Sequence, residues 1–352
     1  MLYLDKDSKR NVLARVIHTK EVTCRILKKY RNFVCNDVHC TVCKSTKYNG
    51  NVPLKHLKFL KIITDKNFLN GILTALPSEL KEYSNMIWEE VIPNFSYDEL
   101  RLYIKIKGKK NKNANETSLV NKYKAHHDFF LKVIDYDSWF LNSGNSSRYD
   151  AYDLATNLNI NTCIYCNRLY TGTVKSWKKK KVMRPTFDHW FSHALHPVLG
   201  LSFYNLIPSC SICNSSIKGF LEYDVETHSH PYVDKDFSKD FRFSYDYCNS
   251  KNSHEVKIII DSHTSTVART VNDLKLKEVF STHHSELADL LRIKEAYSDK
   301  YIDQLQDIYS SIPLSKKEVY RLAFGTELNE TSFHKRPLSK FKGDILKELG
   351  II

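Results

Sequence analysis

Two Cys-x-x-Cys pairs, Cys163-Ile-Tyr-Cys166 and Cys210-Ser-Ile-Cys213, bracket the stretch from 167 to 209. Each pair can supply two corners of a tetrahedron, and four thiolates saturate a zinc ion without leaving a position for water. A structural zinc held by Cys163, Cys166, Cys210 and Cys213 is therefore expected, and any catalysis has to come from other residues. Between and beside the pairs stand Asp188 and His189 in the strand-like run Thr186-Phe-Asp-His-Trp190, Asn205 in a second such run, Phe203-Tyr-Asn-Leu-Ile-Pro208, and Asn214 directly after Cys213. A histidine with an ordinary pKa of about 6.5 is suited to take a proton from water. Carboxylate and amide oxygens suit a hard divalent cation. Period-two alternation sends Asp188 and His189 to opposite sides of a strand, so a backbone bend or a metal has to bring them to one site. The implied order is strand, loop, strand, helix.

In this order, with the thiol pairs outside, Asp188-His189, Asn205 and Asn214 resemble the HNH endonucleases and their ββα-metal fold. The likeness covers residues 163–218 of the 352. The family's last letter is often His; Asn214 in that place resembles the His-Asn-Asn variants and favours Mg²⁺ or Mn²⁺ over a softer ion. The resemblance implies His189 as general base toward the attacking water, and Asp188 with Asn214 as ligands of one divalent ion. That ion would neutralise the phosphate and stabilise the departing 3′-oxygen, leaving 5′-phosphate and 3′-hydroxyl ends. Asn205 is expected to brace the loop and orient the His189 strand. His193 and His196 are expected as solvated loop residues, with an approach to the phosphate as the alternative.

The 53 Lys and Arg against 40 Asp and Glu give a formal charge of +13, which points to a polyanionic partner, nucleic acid first and DNA favoured. Lys178, Lys179, Lys180 and Lys181, beside Trp177 and near Arg184, form a basic arm before the Asp188-His189 run, and Lys218 follows on the presumed helix. These are candidate contacts to the nucleic-acid backbone, which position a substrate without reading its sequence; a solvated charged face is the other reading. No run of eighteen apolar residues exists and the first residues lack a leader pattern, so a soluble, cytoplasmic protein with no membrane partner is expected. Nine cysteines suit metal binding in a reducing compartment better than a disulfide scaffold. Cys35, Cys40 and Cys43, with His39 or Cys24 as a fourth ligand, could bind a second zinc. Their Cys-x-x-Cys has no matching pair, however, and packed free thiols are the expectation there. His228 and His230 are read as part of a turn.

Positioning this site calls for an α+β fold with mainly helical flanks around a small core stapled by zinc. Residues 1–104 read as a helical region, with helical patterns at Lys55–Ile63, from Pro77 and from Met86. Residues 105–147 read as a basic linker and helix, because Lys105–Asn115 is polar and without periodicity. Residues 148–235 hold the core, entered by a short helix over Arg148–Leu158. In 236–352, Phe241–Tyr247 and Val256–Asp261 read as a hairpin. Leu287, Leu290, Leu291, Tyr297, Tyr301, Leu305 and Ile308 then recur on one helical face, and Leu338, Phe341, Ile345 and Leu349 mark a last helix.

The expected activity is metal-dependent hydrolysis of phosphodiester bonds, with flanks that recruit substrate or a partner. A zinc-stabilised nucleic-acid-binding module that does not cut is the alternative, and a structural adaptor is a third class. The Cys-Ile-Tyr-Cys-Asn-Arg and Asn-Leu-Ile-Pro-Ser-Cys-x-x-Cys-Asn segments, with helical flanks, are similar to nuclease components of prokaryotic anti-phage systems such as the Septu type. That resemblance implies an ATPase partner subunit and an antiviral defence role. Homing or mobile-element endonucleases and restriction enzymes share the same core.

Overall fold

The long helix α1, Lys9–Arg31, begins where the Ser8 side chain accepts the Asn11 N–H and ends where Asn32 turns left-handed at φ 53°. Three basic residues in its last turn complement the helix dipole. The computed structural model describes the chain except residues 142–147, 178–179, 236, 261–264, 297–303, 305–306 and 308–313. After α1 come the one-turn α2 (Thr41–Ser45), α3 (Leu57–Ile63), α4 (Lys66–Thr74), α5 (Pro77–Val91), with Pro77 in its first turn, and α6 (Tyr97–Ile106).

The basic stretch at 105–115 is a short connection rather than an extended loop. It ends α6, turns, and places Asn113 as the cap of α7 (Ala114–Ile134), where Asn113 and Glu116 close a reciprocal capping box. A wide helical turn at Tyr136–Leu141 follows, and α8 (Ala151–Leu158), capped by Asp150 and Asp153, leads to the first thiol pair.

Among the described residues the strands lie in antiparallel pairs: β1 (Val174–Lys175) with β2 (Lys181–Met183), β3 (Thr186–His189) with β4 (Leu206–Ser209), and β5 (Phe241–Cys248) with β6 (Ser253–Ile260). The last pair is the expected hairpin. Around it lie α9 (Phe237–Asp240), α10 (Ser265–Asp273), α11 (Leu276–Phe280), α12 (His284–Ala296), α13 (Lys316–Phe324) and α14 (Ser339–Glu348). The fold is thus α+β with helical flanks, as the sequence led us to expect. Leu287 and Leu290 are buried on α12, whereas Tyr297, Tyr301, Leu305 and Ile308 lie outside the described residues. Leu338 caps α14 in a left-handed conformation, and Phe341 and Ile345 bury that helix against β5.

The buried apolar residues form one contiguous cluster from Met1 to Ile351. Its largest members are aromatic, including Trp88, Trp139, Trp190, Tyr103 and Tyr165. Each such ring removes about 150–250 Å² from water, a gross gain of about 4–6 kcal/mol. Trp190 and Tyr165, next to the candidate site in sequence, are both fully buried. Among the described residues, no helix is long and apolar enough to cross a membrane.

Candidate functional site

Cys163, Cys166, Cys210 and Cys213 are all buried and free of disulfides, and their sulfurs lie within 4.8 Å of one another. A tetrahedral zinc with bonds of about 2.3 Å places its sulfurs about 3.8 Å apart, so this group can hold such an ion. The turns are built to favour thiolates: Cys210 Sγ accepts the Cys213 N–H and Cys166 Sγ accepts the Arg168 N–H, each at 3.4 Å. Cys24, Cys35, Cys40 and Cys43 form a second group with the same spread. The packed free thiols expected there converge on one point. The fourth member is Cys24, on the buried side of α1, while His39 is exposed.

Antiparallel pairing of β3 with β4 runs from Thr186 opposite Ser209 to His189 opposite Leu206. The Ile164 N–H donates to Pro208 O at 3.2 Å and ties the first thiol pair to β4. After β4 the chain forms a wide helical turn, Ile212–Lys218, that packs against β3. Strand, loop, strand, helix is therefore the observed order. Asn205 ends a short helical turn, Phe203–Asn205, just before β4, rather than lying in the strand as read from sequence.

Asn205 is fully buried and holds the loop between the strands. Its Oδ1 accepts the Phe191 N–H at 2.7 Å, and its Nδ2 donates to Leu199 O at 3.1 Å and Phe191 O at 3.3 Å. All of these partners are backbone atoms of the loop. The side chain therefore fixes loop shape, the bracing geometry expected of it.

His189 is half-buried, and its Nε2 lies 2.9 Å from Gly200 O. A carbonyl only accepts, so Nε2 carries the proton and Nδ1 presents a lone pair. The His193 ring stacks on His189 with centroids 4.4 Å apart and planes 14° from parallel, and Tyr136 meets the same ring edge-on at 4.4 Å. Burial pulls the His189 pKa down to about 4 and that of His193 to about 3, so both rings are neutral at neutral pH. His193 is thus packed against the candidate base, not solvated. His196 is buried with Nδ1 2.9 Å from Ser84 Oγ, which makes it part of the scaffold.

The Asp188 carboxylate faces other neighbours, as alternation requires. Tyr165 donates its hydroxyl to Oδ2, and Lys218 Nζ lies 3.3 Å from Oδ1 and 3.2 Å from Oδ2. Lys218 also donates to His189 O at 2.8 Å and stands over the Tyr223 ring. Only 2% of the Lys218 side chain and 4% of the Asp188 side chain are exposed. This corrects the reading of Lys218 as a surface contact to nucleic acid: its ammonium is enclosed and paired with Asp188. Asn214 lies about one turn before Lys218 on the same segment, half-buried, with no side-chain hydrogen bond among the described residues.

The basic arm is the β1–β2 hairpin. Lys178 and Lys179 lie outside the described residues, and Lys180 is exposed beside Trp177, itself 88% exposed. Lys181 pairs with the buried Asp150 that caps α8, and Arg184 donates to Pro185 O at 2.7 Å while covering the Tyr152 ring. Those two cations are tied to the scaffold, and Lys180 is the exposed lysine of the arm among the described residues. His228 pairs with Asp273 at 2.9 Å and His230 bonds Tyr204 O at 3.0 Å; both serve packing around a turn.

Two partners of the site had no signal in the sequence reading: Tyr165, inside the first Cys-x-x-Cys, acts through its hydroxyl on Asp188, and Gly200 acts through its carbonyl on His189. His193 reads as a loop residue, and its stacking on His189 comes from the fold. Compared with models of protein families, with curated proteins and with solved structures, the chain matches none.

Proposed function

We propose that the chain is a metal-dependent HNH-type endonuclease that hydrolyses phosphodiester bonds of nucleic acid, DNA favoured, on a core stapled by zinc at Cys163, Cys166, Cys210 and Cys213. The observation that carries this reading is the hydrogen bond from His189 Nε2 to Gly200 O, on a strand that also carries Asp188. It leaves Nδ1 as a base, and the same carbonyl stabilises the ring once Nδ1 has taken a proton from water. That water attacks phosphorus, the bond to the 3′-oxygen breaks, and a 5′-phosphate and a 3′-hydroxyl remain.

In this reading Asp188 and Asn214 would hold a hard divalent cation. Asp188 has about four acceptor sites, of which Tyr165 and Lys218 engage part, and the Asn214 amide makes no hydrogen bond among the described residues. One carboxylate and one amide oxygen suit Mg²⁺ or Mn²⁺, which keep several waters when bound to proteins. When bound, such an ion supplies Lewis-acid stabilisation of the phosphate and the leaving oxygen. Lys218 offsets the Asp188 charge and holds the His189 backbone. The exposed tip at Trp177 and Lys180 and the charge of +13 support a polyanionic substrate. An ATPase partner and a role in antiviral defence rest on the resemblance of the 163–218 segments alone.

A second reading is a binding module that does not cut. It is favoured by the Asp188–Lys218 pair, in which the carboxylate already has a counter-charge. Incubating the purified chain with plasmid, linear duplex, single strands or RNA, with Mg²⁺, Mn²⁺ or chelator, separates the two. Nicking or linearisation that chelator stops supports the nuclease; binding without a cut under every metal supports the module.

A further inference from the structure

Between α1 and the short helical turn Leu54–His56 that leads into α3, the chain runs for twenty-two residues, 32–53, with only the one-turn helix α2 as regular structure. Connections of that length are uncommon in packed domains unless something holds them. Apolar packing does little of it. Apart from cysteines, Val42 is the only fully buried apolar side chain of the stretch, whereas Val34, Val38 and Tyr48 are 57%, 73% and 54% exposed. Yet Cys40 and Cys43 are buried within it, and they converge with Cys35 and with Cys24 on α1.

The convergence has the form of a metal site. All four sulfurs lie within 4.8 Å, and Cys43 Sγ to Cys35 Sγ is 3.6 Å, near the 3.8 Å or so of a zinc tetrahedron and far beyond the 2.05 Å or so of a disulfide. The Cys43 N–H donates to Cys40 Sγ at 3.4 Å, the same turn as Cys213 to Cys210. Asp37 shapes the approach, with its carbonyl accepting the Cys40 N–H at 3.0 Å and its carboxylate the His39 N–H at 2.9 Å. Four thiolates on Zn²⁺ leave a net charge of −2, and Lys28, Lys44 and Lys47 line the same groove. Such outer charges stabilise an anionic centre.

We propose that Cys24, Cys35, Cys40 and Cys43 bind a second zinc ion as a closed tetrathiolate that clamps the 32–53 stretch onto α1. The site is structural, because four thiolates leave no open position. Its free energy of binding holds a segment that buries too little apolar surface to hold itself. The clamp also bears on the candidate active site through α1, where His18 Nε2 bonds Leu201 O at 2.8 Å, next to the Gly200 carbonyl that holds His189. It does not depend on the nuclease reading.

The test is zinc per chain, by plasma mass spectrometry of the full-length protein purified without chelator, together with Cys24→Ser and Cys35→Ser. Cys35 is the partly exposed member, so its variant is the milder one for folding. The expected result is two zinc ions in the wild type and one in either variant, and Co²⁺ titration of metal-stripped wild type giving thiolate-to-cobalt absorption that saturates at two equivalents. One zinc in the wild type, or two retained in Cys35→Ser, overturns the proposal. Cleavage activity is not part of the readout, so failure of the nuclease reading leaves the result legible.

Discussion

The Lys218 ammonium lies 3.2 Å from the Asp188 carboxylate, both side chains are nearly inaccessible, and the same ammonium bonds the backbone of His189 at 2.8 Å. One cation thereby sets the charge of Asp188 and the position of the strand that carries the candidate base. Removing one partner of such a pair leaves a buried, uncompensated charge, which costs about 3–5 kcal/mol. Lys218→Met is expected to lower unfolding stability by that amount in urea titration, and Lys218→Met with Asp188→Leu to recover a large part of it. A double-variant loss equal to the sum of the two single losses would show that the pair is not coupled.

Gly200 lies in ordinary right-handed helical backbone, so a substitution there acts through contact and not through strain. A Cβ at that position meets His193 Nε2 at 2.8 Å and Ile134 Cγ2 at 3.3 Å. Gly200→Ala must therefore push His193 off the face of His189. The expected outcome is a fall of about tenfold in cleavage rate, with a stability loss of about 1–3 kcal/mol from overpacking. An unchanged rate would mean that the stacked ring has no part in holding the base.

Loss of a thiol from the first group tests whether metal binding and folding are one event. A structural zinc supplies about 10–16 kcal/mol in small zinc domains, as much as the whole stability of an ordinary fold, about 5–15 kcal/mol. Cys166→Ser or Cys213→Ser is expected to lose one zinc per chain and to lower or abolish the thermal transition. Unchanged zinc content and melting would remove the structural-zinc claim.

Several other histidines are buried as neutral rings: burial lowers His18, His196 and His334 to about 4 and His230 to about 3. The unfolded chain, with its histidines near 6.5, binds more protons than the folded one between about pH 4 and 6.5. Stability is then full above pH 6.5 and is lost as pH falls toward 4. At about 1.4 kcal/mol per unit and group, a few such rings together approach the stability of a domain. Urea midpoints at a series of pH values from 7.5 to 4.5 should fall steeply below 6.5; a flat profile down to pH 5 would contradict the burial of these rings.

Much of the site could be read from residue order because its chemistry is local. The Cys163, Cys166, Cys210 and Cys213 spacing, the strand runs around Asp188 and Leu206, and the β5–β6 alternation each depend on neighbours in sequence. So does the Asn113 to Glu116 capping box, a helix-start signal present in the basic stretch that the reading of a loop passed over. What escaped the sequence depends on tertiary approach. Cys24 stands alone on a helix with no paired spacing, and only folding brings it to Cys35, Cys40 and Cys43. Lys218 has the composition of a surface lysine, and its burial follows from the way the Ile212–Lys218 turn packs on β3. The Gly200 carbonyl that sets the His189 proton carries no side-chain signature at all.

The most direct test of the central claim compares wild type with His189→Ala on supercoiled plasmid, in Mg²⁺, Mn²⁺ or chelator, after confirming equal zinc content and melting. The account predicts metal-dependent cleavage by the wild type, none in chelator, and a loss of at least about 10²-fold in the variant, the lower end of what a general base contributes. Cleavage by His189→Ala at the wild-type rate would contradict it.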